Sequence, residues 1–216
     1  MKFGGTSVGS PAAIRRVVKI VKDTQEHSRP VVVVSAMAGV TDHLLLRDIK
    51  WVRRLYEKTA RALHVPAPKK LLDELLRAQE GIELSGAFTP QAADTLVSFG
   101  ERLSVALLSS ALGRRARSLD ARECVLTDST FQNAKVNLPV TDRNIKKVFS
   151  RIPKSALPVV TGFIGADREG RTTTLGRGGS DYTASLFGAA LGADRIEIWK
   201  DVDGVMTADP KRVPHA

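Results

Sequence analysis

Cysteine occurs once in the 216 residues, at Cys124, so no internal disulfide can form and the chain reads as a protein of the reducing cytoplasm. Aromatic residues make up only 5%, as seven Phe, two Tyr and two Trp, too few stacking platforms for a groove that holds single-stranded nucleic acid. No apolar run approaches the roughly 20 residues that a membrane-spanning helix requires. The start, Met1-Lys2-Phe3-Gly4-Gly5, has no apolar segment behind its charge, so no secretory signal is expected. Internal repeats, low-complexity linkers and the phosphate loop G-x-x-x-x-G-K-[ST] are also missing.

Acidic residues are the minority charge: 23 Asp+Glu stand against 33 Lys+Arg, for a net +10. Such an excess fits nucleic acid or anionic small molecules such as nucleotides. Much of it lies in residues 47–61 and 114–122, interleaved with apolar residues. That pattern reads as solvated helix faces whose long stems cover apolar surface. No helix-turn-helix, zinc-finger or RNA-recognition signature accompanies the charge, so neither nucleic acid nor membrane is expected as a partner.

What is present is 43% hydrophobic residues, enough for one large domain with a sizeable core. Strand-length apolar runs, 31–36, 123–127, 158–164 and 195–199, alternate with longer helical patterns. Ser10-Pro11 and Thr89-Pro90 open two helices in cap-then-proline style; the first carries Ile14, Val17, Val18 and Val21 on one face, and the second runs to Gly113. A third starts at Ser180 and ends near Gly192. Alternation of this kind predicts an α/β fold with a mainly parallel sheet covered on both sides. Residues 42–88 carry two charged amphipathic helices broken at Pro66 and Pro68, a helical excursion from the sheet. Residues 165–174 read as a short hairpin turning at 167–170.

Three glycine-rich loops follow expected strands. Lys2-Phe3-Gly4-Gly5-Thr6-Ser7-Val8-Gly9 combines paired glycines, whose N–H groups can face phosphate oxygens, with a lysine at a strand end. On this segment alone an ordinary strand–turn–helix corner explains the pattern equally well. Residues 35–42 place the Ser35 and Thr41 hydroxyls at the carboxyl edge of the sheet, where α/β proteins bind ligands, although both could simply cap the next helix. In residues 172–183, Gly176, Gly178 and Gly179 surround Arg177, and Ser180-Asp181 opens a helix. A guanidinium there is suited to gripping a carboxylate or phosphate.

These segments, together with Ser98-Phe99-Gly100-Glu101-Arg102-Leu103-Ser104, Thr161–Gly165 and Trp199–Pro210, resemble aspartate kinases, in that family's order and over essentially the whole chain. The wider group is the amino acid kinase superfamily. The resemblance implies a three-layer αβα sandwich and one amino acid kinase domain over residues 1–216. It also implies transfer of the γ-phosphoryl of ATP, with Mg2+ held mainly through the phosphates, to the side chain of L-aspartate. The product would be 4-phospho-L-aspartate, on the route to lysine, threonine and methionine.

By the same resemblance Lys2 is the electrostatic catalyst, Asp181 a polar group beside the reacting carboxylate, and Ser35, Thr41 and Ser180 line the substrate loop. Arg177 pairs with the α-carboxylate and Glu101 with the α-ammonium. Gly4, Gly5, Thr6 and Ser7 line the phosphates, and Lys200, Asp201, Met206 and Lys211 stand on the nucleotide side. No protein metal cage is implied. Met206 replaces a tyrosine frequent in relatives, and Lys200 and Lys211 replace Thr and Arg. Relatives continue beyond Pro210 into further kinase-domain segments and two effector-binding ACT domains, so the chain as given is expected to bind ATP weakly. An alternative is a catalytically weak fold that acts as a binding or partner module. The apolar faces of residues 44–64 and 71–84 are candidates for pairing into a homodimer.

Overall fold

The computed structural model describes residues 1–200 and Gly204. In chain order its elements are β1 (Lys2–Phe3), α1 (Pro11–Gln25), β2 (Val32–Val34), α2 (Val40–Leu45), α3 (Ile49–Leu63), α4 (Lys69–Ser85), α5 (Pro90–Leu112), β3 (Ala116–Leu119), α6 (Leu138–Phe149), β4 (Leu157–Thr161), β5 (Ile164–Ala166), β6 (Thr172–Thr174), α7 (Gly179–Leu191) and β7 (Ile198–Trp199). Five strands form one parallel sheet in the order β3-β4-β2-β1-β7. The hairpin β5–β6 stands apart as a small antiparallel sheet.

The valine run shows why three layers form. Val32 and Val34 belong to one apolar cluster, shared with α1, α3, α4 and α5, while Val33 points into the other, shared with α6 and α7. Leu157 and Val159 of β4 join the first cluster and Val160 the second. A strand with apolar side chains on both faces has to be covered twice. The expected αβα sandwich is therefore the observed one.

Local signals place the helices. Ser10 and Thr89 accept the Ala13 and Ala92 amides as N-caps, each followed by proline at the first helical position. The hairpin turns at Asp167–Gly170 as expected, with Asp167 accepting the Glu169 and Arg171 amides. The excursion at 42–88 contains α3 and α4 with the break around Pro66 and Pro68, plus a short α2 before them. Of the apolar residues in the stretches offered by the sequence for homodimer pairing, Val52, Tyr56, Ala60, Leu72 and Leu75 are buried in the first core, while Leu46 and Leu84 are exposed.

Two expectations are corrected. Residues 123–127 are not a strand of the main sheet; Glu123 ends a 3-10 turn, and Leu126 and Thr127 make only isolated bridges to Ala166 and Val136. The strand at that edge is β3, within the basic stretch 114–122 that reads as a helix face. It pairs with β4 alone and only Leu119 is buried, so it lacks the apolar pattern of an inner strand. Helix α6 also escapes the sequence pattern, because only Thr141 and Ile145 of its twelve residues are buried.

Candidate active site

Every parallel strand points its carboxyl end to the same edge, and the glycine-rich loops converge there. Lys2 lies in β1 between β2 and β7, and the residue is only 7% exposed. Its Nζ lies 2.7 Å from Asp181 Oδ1 in the first turn of α7. The other oxygen, Oδ2, is 3.5 Å from Lys200 Nζ. Burial works against the Asp181 carboxylate, but the two ammonium groups outweigh it and hold its pKa below the usual carboxylate range.

The loop after β1 presses against the loop after β2. A Cβ on Gly5 would sit 2.9 Å from the Ala36 carbonyl oxygen, so no side chain fits there, and the Ala38 N–H donates to the Gly5 carbonyl at 3.1 Å. Gly4 lies next to the Lys2 ammonium. Thr6 is exposed, and the Ser7 hydroxyl donates to the Trp199 carbonyl at 3.4 Å.

Glu101 comes up from α5 beneath these loops. Its Oε1 accepts the Ala36 N–H at 3.0 Å, while Oε2 is buried with no hydrogen-bond partner among the described residues. The residue is only 3% exposed. Burial pushes its pKa up to about 8, against the opposing pull of the Ala36 amide. The neighbouring Arg102 is not its partner: Arg102 pairs with Glu74 at 2.8 Å and Asp120 at 3.6 Å, over the Phe99 ring.

Arg177 is exposed, flanked by Gly176 and Gly178 at φ of 72° and 75°, and has no hydrogen-bond or ion-pair partner among the described residues. Ser180 is buried with its hydroxyl against Gly162, just beyond β4. Ser35 is half-buried and ties the loop to β1 through its N–H and the Phe3 carbonyl, 3.2 Å apart. Thr41 is half-buried in the first turn of α2. Asp201, Met206 and Lys211 lie outside the described residues.

The structure thus brings Lys2, Gly4, Gly5, Glu101 and Asp181 into one connected cluster, with Arg177 and Ser180 on the loop entering α7. Among the described residues no group of His, Cys, Asp and Glu could hold a metal ion. No described helix is long and apolar enough to cross a membrane. Two buried polar residues were missed by the sequence reading. Tyr56 donates its hydroxyl to the Gly100 carbonyl at 3.0 Å, and Asp94 lies two turns before Glu101 on the same helix. For Asp94 the available signal was the spacing 94, 97, 101, 104, 108, a single helical stripe that sets two acids and Ser104 beside Val97 and Leu108.

Comparison with known proteins agrees with this fold. The chain is 37% identical to aspartokinase 3, chloroplastic, of Arabidopsis thaliana over 100% of its own length and 44% of that protein. It is likewise 37% identical to an aspartate kinase of Pseudomonas putida, with the same coverage. Among solved structures, E. coli aspartokinase III in complex with aspartate and ADP superposes with a TM-score of 0.87 at 34% identity, covering 97% of this chain and 50% of that one. An isopentenyl phosphate kinase, 17% identical with a TM-score of 0.53, shares the fold alone. The chain spans about half the length of the relatives it matches. The amino acid kinase family matches residues 1–216, and with that match over a parallel αβα sandwich the chain belongs to the amino acid kinase family.

Proposed function

We propose that residues 1–216 form an aspartate kinase domain that moves the γ-phosphoryl group of ATP onto the side-chain carboxylate of L-aspartate, giving 4-phospho-L-aspartate for the synthesis of lysine, threonine and methionine. The observation that carries this reading is Glu101 Oε2. A buried carboxylate oxygen without a partner is costly, and a substrate ammonium arriving beside it would supply the missing charge and hydrogen bond. Arg177, with its guanidinium uncommitted among the described residues, offers a fork for the α-carboxylate. Selection of an amino acid by both of its charged ends follows, with Ser35, Thr41 and Ser180 around the side chain.

The nucleophile is already an anion, so no general base is needed; the task is to hold two anionic groups in line. Lys2 is suited to it. Its ammonium is fixed by Asp181 at the carboxyl edge, where it would meet charge that develops on the transferring oxygens. The Gly4–Gly5 backbone, cleared of side chains, together with Thr6 and Ser7, would take the phosphates. Lys200 shares Asp181 and so would stand beside the nucleotide, the side to which the resemblance also assigns Asp201, Met206 and Lys211. Mg2+ on the phosphates supplies neutralisation of their charge.

The test is aspartate-dependent ADP release. Lys2→Ala is expected to lower turnover by about a hundredfold or more, with smaller changes in the Michaelis constants. ADP release that ignores aspartate, or equal turnover in Lys2→Ala and parent, would refute the proposal.

A further inference from the structure

Asp94 is 1% exposed and accepts three hydrogen bonds, none of them used by the chemistry above. Its Oδ2 accepts the Gln132 N–H and the Thr174 N–H, each at 2.9 Å, and its Oδ1 accepts the Thr174 hydroxyl at 2.9 Å. One carboxylate on α5 thereby fastens two other segments: the end of β6 and the loop around residue 132.

Both segments lead to the same place. Thr174 is followed directly by Leu175-Gly176-Arg177. Gln132 is held at φ 71°, a left-handed conformation that a non-glycine residue keeps only when its surroundings enforce it. Next to it, the Asn133 side-chain oxygen fills the space beside Gly176, 2.5 Å from where a Cβ would be. The Ala134 N–H closes the arrangement on the Thr174 carbonyl at 2.9 Å. Arg177 is therefore carried on a turn braced from two sides, and both braces end on Asp94.

Asp94 and Glu101 lie seven residues apart on one continuous helix, about 10 Å along its axis. We propose that Asp94 is a positioning residue for the substrate site: its carboxylate sets the 174–178 turn, and so Arg177, at a fixed distance and direction from Glu101. This rests on the proposed function, in which Glu101 and Arg177 receive the two charged ends of an α-amino acid. On that footing Asp94 sets the spacing that the site accepts between an ammonium and a carboxylate, without touching either.

The test is aspartate binding by titration calorimetry to the full chain, with Mg2+ and a non-hydrolysable ATP analogue present. Asp94→Asn keeps the shape but replaces one acceptor oxygen by a donor. It is expected to weaken aspartate about fivefold or more, with nucleotide affinity unchanged. Adding Asp94→Asn to Arg177→Gln should cost no further aspartate affinity, because the residue acts through Arg177. Thr174→Val, which removes only the hydroxyl bond, should give a smaller loss in the same direction and stands in if Asp94→Asn does not fold. Unchanged aspartate affinity, an equal loss in the Arg177→Gln background, or a parallel loss of nucleotide affinity would each overturn the inference. Glu101→Gln separates the two levels. If it leaves aspartate binding intact, the reading of the site falls and the inference with it. If it weakens binding while the Asp94 and Thr174 variants do not, the inference alone falls.

Discussion

Helices α4 and α5 pack side by side, yet they bury very different things. Of the seventeen residues of α4 only Leu72 and Leu75 are buried, and its many charges face water. Helix α5 runs against the sheet and buries fourteen of twenty-three, among them Asp94, Ser98, Glu101 and Ser104. An amphipathic helix needs only its apolar stripe to be held in place. Carboxylates at 1% and 3% exposure contribute nothing to such a stripe and cost free energy unless something answers them. For Asp94 the answer is internal, three protein donors; for Glu101 half of it is absent among the described residues. The difference separates scaffold from site on a single helix pair.

The comparison breaks first on α4. Leu75→Ala is expected to cost about 2–5 kcal/mol of folding stability through lost packing, while the folded fraction binds aspartate like the parent. Denaturant unfolding followed by ligand titration checks both halves, and a selective loss of aspartate affinity would place α4 in the site.

A second variant sharpens the other side. Glu101→Gln should weaken aspartate about tenfold to a hundredfold, because a charged hydrogen bond is lost. In the free protein its effect on stability has the opposite sign. The folded carboxyl titrates near 8 and the unfolded one near 4.5, so between those values the folded state holds a proton that the unfolded chain has released. Stability contributed by that proton is present below about pH 4.5 and is lost as pH rises toward 8. Glu101→Gln should flatten this fall, so denaturation at pH 5, 6.5 and 8 should show stability dropping with pH in the parent and a flatter profile in the variant. Identical pH dependence in both would show that Glu101 is not held in the buried, unpaired state.

The smallest effect belongs to the half-buried charges joining α3 and α4. Arg53 pairs with Glu57 at 3.0 Å and Asp73 at 3.3 Å, all three still partly open to water. Arg53→Ala should change stability by about 0.5 kcal/mol or less and leave aspartate binding alone. A larger loss would mean that the excursion is held by charge rather than by its leucines.

Much of this was legible in advance where the signal is local. Thr89-Pro90 and Gly113 bracket α5 because caps act on adjacent residues, and Asp167–Gly170 makes its turn for the same reason. Edge strand β3 and polar helix α6 were not, since neither buries enough to leave a pattern. Lys2 and its glycines could be singled out from one segment, but its pairing with Asp181 joins opposite ends of the chain and has no sequence period. The spacing of Glu101 places it on an apolar helix; only packing decides that both its oxygens are enclosed and one is unanswered.

Strand β1 lies between β2 and β7, and the Lys2 amide donates to the Glu197 carbonyl at 2.7 Å. Phe3 stacks on Trp199 with ring centres 5.9 Å apart, and Ser7 reaches the Trp199 carbonyl across 192 residues of sequence. Strand β1 therefore waits for β7, 196 residues further along the chain, before it has both neighbours. At about 5–20 residues per second that interval is roughly 10–40 s. Throughout it Lys2 lacks both Asp181 and the β7 side of its strand, while α1 to α5 can already collapse on β2. Lys2 is thus enclosed only once α7 and β7 have been made, long after its own strand has left the ribosome.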